Sequence, residues 1–484
     1  MFPRASAYAQ GRTPNRVRHQ VTVVADRLAL VRDPLRALLF VLTIVTISRV
    51  HLHYPVLARM RPVLLLSLAA VGYAYLSPQH LTKANVLKLW PMRLVAILGV
   101  LACCSAAFGI SLGNSAHFIL DSYAKTLAYA FLIAISIRNG RDLYTYFWAF
   151  VTSCAILSIF SVFVFGLSGG GSLTERLGEL YTYDSNDLGV IMMIGLPLTL
   201  LLLVVDRGAK RWFLLMNLAG IAAAMARSGS RGGFLGLVAV GLGALVLVNG
   251  VSAFRRASLL AAVLVALATA APTGYWRQMS TIMSPSQDYN FSSVDGRSAL
   301  IKRGMGYMAE YPMFGIGIWN FAKAECTLPR KVADIDPGGP LRCTAPHNSF
   351  LQVGTELGVP GLIVWASLLI GGIIGPLRLR RRLPFFWRRG TSTQRFLYAT
   401  TSFLPVAMIG FGVTSFFVTF GFADPIYLMA AFVTGLYIAV DAEMRASGRV
   451  MESDWASPAK AQAGWRVRAT GRVFRSSPNW ARAR

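Results

Sequence analysis

Charge is scarce in this sequence. Asp, Glu, Lys and Arg together make up 14% of its 484 residues, where a soluble domain carries about a quarter. That shortage excludes an ordinary water-soluble fold. Acidic residues are scarcer still, 21 against 48 Lys and Arg, for a formal net charge of +27. The placement of the cations decides what this excess is for. The arginines stand in the termini and in short loops between apolar runs, a topogenic pattern that also suits an anionic leaflet. Nucleic acid is therefore not an expected partner. Strict apolar/polar alternation is missing too, which argues against a closed β-barrel. The five cysteines form no CxxC pair and no Cys/His zinc spacing; no cofactor is expected. There is no visible internal repeat. A long polar arm precedes the first apolar run, so no cleavable signal is expected.

What the chain does contain is apolar length. Hydrophobic residues reach 55%, the mean hydropathy is +0.52, and runs near 20 residues recur from end to end. The expected fold is an all-α polytopic membrane protein. Twelve spans are read at about 36–50, 62–77, 93–112, 118–137, 143–167, 187–205, 212–227, 232–250, 258–273, 350–375, 396–417 and 425–441. This divides the chain into a basic tail (1–35), nine spans (36–273), one large outer loop (274–349), three spans (350–441) and a second basic tail (442–484). Arg138, Arg141, Arg207, Lys210, Arg211, Arg255, Arg256 and the arginines between 378 and 389 fall in loops that the count places inside, with both termini. Arg49, Arg59 and Arg61 fit poorly, because the count puts them outside.

The outer loop is too long to be structureless and reads as a small folded cap. Within it, GRSALIKRGMGYMAEYP predicts an amphipathic helix with Ala299, Ile301, Met305 and Met308 as its apolar positions, ended by Pro312. Cys326 and Cys343 share the loop and suit a disulfide if it is extracytoplasmic. Asp121 and Lys125, four apart in one span, suit a mutual ion pair.

The chain is organised around Thr344 to Trp365, where a polar loop with His347 and Asn348 runs into a glycine-studded helix. His347 suits a general base or a phosphate-stabilising cation. Asn348 suits a sugar hydroxyl. Glu356 falls inside the membrane if that helix is continuous, where it needs a partner or a role; an internal ion pair is the plainer reading. Gly354, Gly358 and Gly361 suit helix packing. Cations on the outer side are anomalous. Arg227 and Arg231 in MARSGSRGG share a face if the helix continues, and Arg297 adds a third guanidinium. Together they suit a diphosphate, whose oxygens pair with Arg forks.

Four patches, in this order along the chain, resemble the O-antigen ligase and polysaccharide polymerase family of bacterial inner-membrane glycosyltransferases. YDSNDLGVIMMIGLPL is similar to its Asp-x-Asn segment, with Ser185 where proline is frequent. SGSRGGFLGL is similar to its Ser-Arg-Gly segment. GRSALIKRGMGYMAEYPMFGIGIWNF looks like its Arg-led loop helix, and HNSFLQVGTELGVPG like its His-Asn segment and Glu-x-Gly-x-x-Gly helix. The resemblance implies a GT-C-like membrane fold with a periplasmic active site. It implies a metal-independent, inverting transfer of a glycan from undecaprenyl diphosphate to an acceptor such as a glycan or lipid A core, among membrane lipids and other polysaccharide-assembly proteins. By the motifs, Arg231 and Arg297 would hold the diphosphate and His347 would be the base or acceptor-positioning group. Asp184, Asn186, Asn348 and Glu356 would contact substrate. Arg303 stands where an aromatic is common, so its substrate role is open; Arg227 is an addition from the residues alone.

The competing class is a transporter or flippase of lipid-linked sugars. Its charges should sit at mid-membrane, whereas these polar clusters lie at the outer ends of spans. The chain also has no Gly-x-x-x-Asp-Arg loop after its second span. Residues 50 to 61 contain no acid, as a metal-dependent membrane glycosyltransferase would need in its first outer loop.

Overall fold

The computed structural model describes residues 33–168, 176–178, 180–248, 252–271, 275–284, 296–328, 343–447, 449–451 and 467–469. Most of both basic tails lies outside these residues. Helices stand at every expected span: Pro34–Ser48, Pro62–Leu76, Trp90–Phe108, Leu112–Ser136, Gly140–Val164, Ser185–Val205, Ala209–Ser228, Arg231–Leu247, Ala253–Ala270, Ser349–Arg380, Ser392–Phe417 and Asp424–Ala446. Seven of these are long and apolar enough to cross a membrane: Trp90–Phe108, Leu112–Ser136, Gly140–Val164, Ser185–Val205, Ser349–Arg380, Ser392–Phe417 and Asp424–Ala446. Pro34–Ser48, Pro62–Leu76 and Arg231–Leu247 are apolar but shorter. The chain is a multi-pass helical membrane protein.

Ser185–Val205 is the hub. It is apolar on all sides, as a wholly enclosed helix must be, and 94% of its membrane window is buried. Ser392–Thr414, Arg231–Leu247 and Ala209–Ser228 pack around it. Successive helices run up and down, so the bundle has two ends. At one end, Arg380 donates to Leu247 O and to Ser402 Oγ, both at 2.7 Å, and Tyr144 donates to Asp206 at 2.7 Å. A buried network there joins the first helix to the fifth: Arg36 to Asp142 at 3.1 Å and to Asp33 at 3.2 Å, with Arg138 to Asp33 at 3.0 Å. The motif segments 184–187, 228–231 and 347–349 lie at the other end.

The segment before His347 contains the short helices Tyr275–Ser280 and Phe321–Thr327 as well as Arg297–Glu310. The last ends two residues before Pro312, as expected, but its buried positions are Leu300, Arg303 and Gly304; Met305 is exposed. The rotation has a cause. Arg303 donates from Nε to Glu325 at 2.7 Å, and Tyr307 donates to the other carboxylate oxygen at 2.9 Å. Cys326 and Cys343 are joined as a disulfide, their Cα atoms 5.1 Å apart. Lys125 and Asp121 pair at 3.1 Å.

The helix from Ser349 is not continuous. Gly358 adopts φ 74°, ψ −176° and breaks it. A Cβ there would lie 2.6 Å from Pro312 O, so only glycine fits. The segment 312–321 is laced into the break. Val359 N donates to Pro312 O at 2.8 Å, and Ile316 N to Thr355 O at 2.9 Å. Glu356 accepts from the amides of Trp319 at 2.8 Å and Phe321 at 3.0 Å. Gly358 is thus a chain-breaking residue rather than a helix-packing one. The partners of Glu356 are backbone amides rather than a cation.

Candidate active site at the helix mouths

Three helix starts converge at the motif end, each capped by a side chain. Asp184 accepts from the amides of Asn186 and Asp187, both at 2.7 Å, and Asp187 reciprocates to close a capping box. Ser230 accepts from Gly233 N at 3.1 Å. Asn348 accepts from Phe350 N at 2.9 Å and Leu351 N at 3.0 Å. These caps satisfy first-turn donors and aim the positive ends of three helix dipoles at one region. The first two starts are tied directly: Ser230 Oγ donates to Asn186 Oδ1 at 2.8 Å. Gly189 and Gly233 permit this approach, since a Cβ on Gly189 would come within 3.3 Å of Gly233 Cα.

The third start is tied in through the turn at 415–423. Ser349 donates to Val418 O at 2.8 Å and accepts from Phe420 N at 2.9 Å, while Gly421 N donates to Gln352 at 2.9 Å. His347 N donates to Thr419 Oγ1 at 3.1 Å. This bond holds His347 at φ 46°, in the left-handed region. A non-glycine residue pays about 1–3 kcal/mol for such a conformation, which is found chiefly at functional sites. His347 is half-buried, and burial, followed by the charge of Arg297, lowers its pKa from 6.5; Asp184 opposes the shift. The imidazole is accordingly neutral near pH 7 and able to accept a proton. Arg297 lies over the ring of Phe417, 5.5 Å from its centroid, and Phe417 packs on Gly232 beside Arg231. Arg231 itself donates to Thr281 Oγ1 at 3.0 Å.

The sequence-predicted residues therefore divide in two. Asp184, Asn186, Arg231, Arg297, His347 and Asn348 gather at the mouths. Arg227 does not join them. Gly229, at φ 57°, ends its helix, and Ser230 begins the next, so Arg227 and Arg231 do not share a continuous face. Arg227 donates instead to Ser161 O at 2.8 Å and Phe165 O at 2.9 Å. Arg303 is committed to Glu325, and Glu356 to the 319–321 backbone.

Sequence reasoning passed over Arg49, Phe417 and Thr419. Arg49 ends the first helix in a left-handed conformation, donates to Thr182, and lies 3.8 Å over the Tyr183 ring. Its misfit with the charge rule is the same signal that singled out Arg231 and was available to find it. Phe417 and Thr419 carry no local signal.

This geometry can hold an anion against helix mouths and arginines while a neutral imidazole takes a proton. Residues 216–366 match the family model for O-antigen ligase. The matched stretch, about a third of the chain, is similar to an O-antigen ligase domain. The match includes Arg231, Arg297, His347 and Asn348, and it bears out the family resemblance over three of the four patches; the patch with Asp184 and Asn186 lies before it. No curated protein matches the chain. At the level of the family, the O-antigen ligase domain supports a membrane enzyme of glycosyl transfer, with a lipid-linked glycan and an acceptor as its substrate classes, and it does not favour the transporter reading.

Proposed function

We propose that the protein is an inner-membrane, periplasm-facing, metal-independent inverting glycosyltransferase. It moves a glycan from undecaprenyl diphosphate to an acceptor hydroxyl, as an O-antigen ligase or polysaccharide polymerase. The observation that carries this reading is the neutral, strained His347 beside Arg297 at three capped helix mouths.

The acceptor oxygen attacks the anomeric carbon from the face opposite the diphosphate. Its C–O bond forms as the bond to the diphosphate oxygen breaks, and the electron pair leaves with the lipid diphosphate. His347 takes the acceptor's proton. Arg231 and Arg297 hold the leaving diphosphate, whose charge the helix dipoles also favour. Asn348 and Asn186 orient the sugar or the acceptor through their side-chain amides. A diphosphate is a good leaving group, so positioning and charge stabilisation carry most of the catalysis. Orientation rests on the cations: the end opposite His347 carries Arg138, Arg141, Arg378, Arg380, Arg381 and Arg382, as a cytoplasmic end should.

The test mixes purified protein with undecaprenyl-diphosphate glycan and an acceptor in EDTA, without nucleotide. Release of undecaprenyl diphosphate with an inverted product linkage is the expected result. Failure to release it with any acceptor, while intact donor crosses a reconstituted bilayer, overturns the reading in favour of a flippase.

A further inference from the structure

The end of the bundle opposite His347 contains a cavity of about 560 Å³. Asp424–Ala446 spans the distance between the two, roughly 35 Å for 23 residues. Gln79, Thr82, Lys83, Asn85 and Lys88 from the 77–89 loop line the cavity, with Arg138, Tyr437, Asp441 and Arg445. Arg378 and Arg382 lie within electrostatic reach of Tyr437. Cations from three separate stretches of chain, around 83–88, 138 and 445, thus line one hollow.

Their pairing shows where charge is left over. Arg445 is matched by Asp441 at 2.7 Å. Arg138 is shared between Asp33 at 3.0 Å and Asp142 at 3.7 Å. The exposed Lys83 and Lys88 have no such carboxylate among the described residues. They are nonetheless held in place by their loop. Thr82 N donates to Ile135 O at 2.7 Å. The Thr82 hydroxyl accepts from Ala84 N at 3.3 Å, and Asn85 accepts from Leu87 N at 3.1 Å. Arg138 adds a bond to Gln79 O at 3.4 Å. The apolar part of the wall comes from Leu81, Leu89 and Ile438, next to Tyr437, which accepts from the Trp90 indole at 3.4 Å. A hollow lined by two surplus ammonium groups and by apolar side chains suits a phosphate ester whose remainder is apolar.

We propose that this cavity binds a phosphate-bearing anion through Lys83 and Lys88, at a site separate from the proposed transfer centre. An anionic phospholipid headgroup and a free phosphate share this chemistry. The inference does not depend on glycosyl transfer, and neither does its test.

The full chain is reconstituted in nanodiscs of phosphatidylcholine with and without phosphatidylglycerol, and separately exposed to inorganic phosphate in detergent. Bound phosphatidylglycerol is counted by native mass spectrometry, and the melting temperature is followed in both arms. The doubly substituted Lys83→Gln/Lys88→Gln protein is compared with wild type, and Lys302→Gln, at the other end, serves as the control. Retention of phosphatidylglycerol by wild type and Lys302→Gln, weakened on the order of 30-fold in the double variant, supports a lipid headgroup. Stabilisation by inorganic phosphate alone, lost in the double variant, supports the site with a soluble occupant. Equal retention and equal melting in wild type and double variant overturn the proposal, as does an equal loss in Lys302→Gln.

Discussion

Arg297 and His347 act on one another across the site: the guanidinium's charge, added to burial, keeps the imidazole's pKa below 6.5. Because the folded value is lowered, the neutral base persists above pH 6.5 and is lost only as pH falls through that lowered value. The acidic limb of kcat/KM should therefore lie below pH 6.5. Removing the charge in Arg297→Gln should move that limb upward, toward 6.5, besides weakening donor binding. A limb that stays in place would show that Arg297 does not tune His347.

Arg303 and Glu325 are nearly inaccessible to solvent, 5% and 0% exposed. Arg303→Met leaves a buried carboxylate without its cation and should cost about 3–5 kcal/mol, read as a lower melting temperature. Adding Glu325→Leu should restore most of that loss. If the double variant is as unstable as the single, the pair is not what holds the cap helix.

Gly358 occupies a left-handed conformation hard against Pro312 O. Gly358→Ala should destabilise by about 2–3 kcal/mol from the backbone conformation alone, with further loss from the contact. Unchanged thermal stability would mean the helix can run straight through this point.

The Cys326–Cys343 disulfide closes a separation of 17 residues. Its reduction, or the double change to serine, should cost about 3 kcal/mol through the loop entropy restored to the unfolded chain. Differential scanning with and without reductant measures it directly.

The sequence made the helices legible because apolar length needs no tertiary information, and it made Arg231 and Arg297 legible because outer-side cations are anomalous, although the same signal also picked out Arg227, which bonds elsewhere. Other features depended on contacts between distant residues. Arg303 pairs 22 positions away with Glu325, and His347 leans on Thr419, 72 positions on; no local pattern announces either. Two breaks did carry signals. Gly229 between Ser228 and Ser230 is a C-terminal glycine followed by an N-cap. Pro360, two residues after Gly358, disfavours helical backbone at Val359.

The most direct test of the account is the rate of undecaprenyl diphosphate release by His347→Ala beside wild type, both shown to be folded in the membrane. A loss of about 100-fold or more is expected, with the melting temperature little changed. Equal rates would contradict the assignment of His347 as the proton acceptor and, with it, the site proposed at the helix mouths.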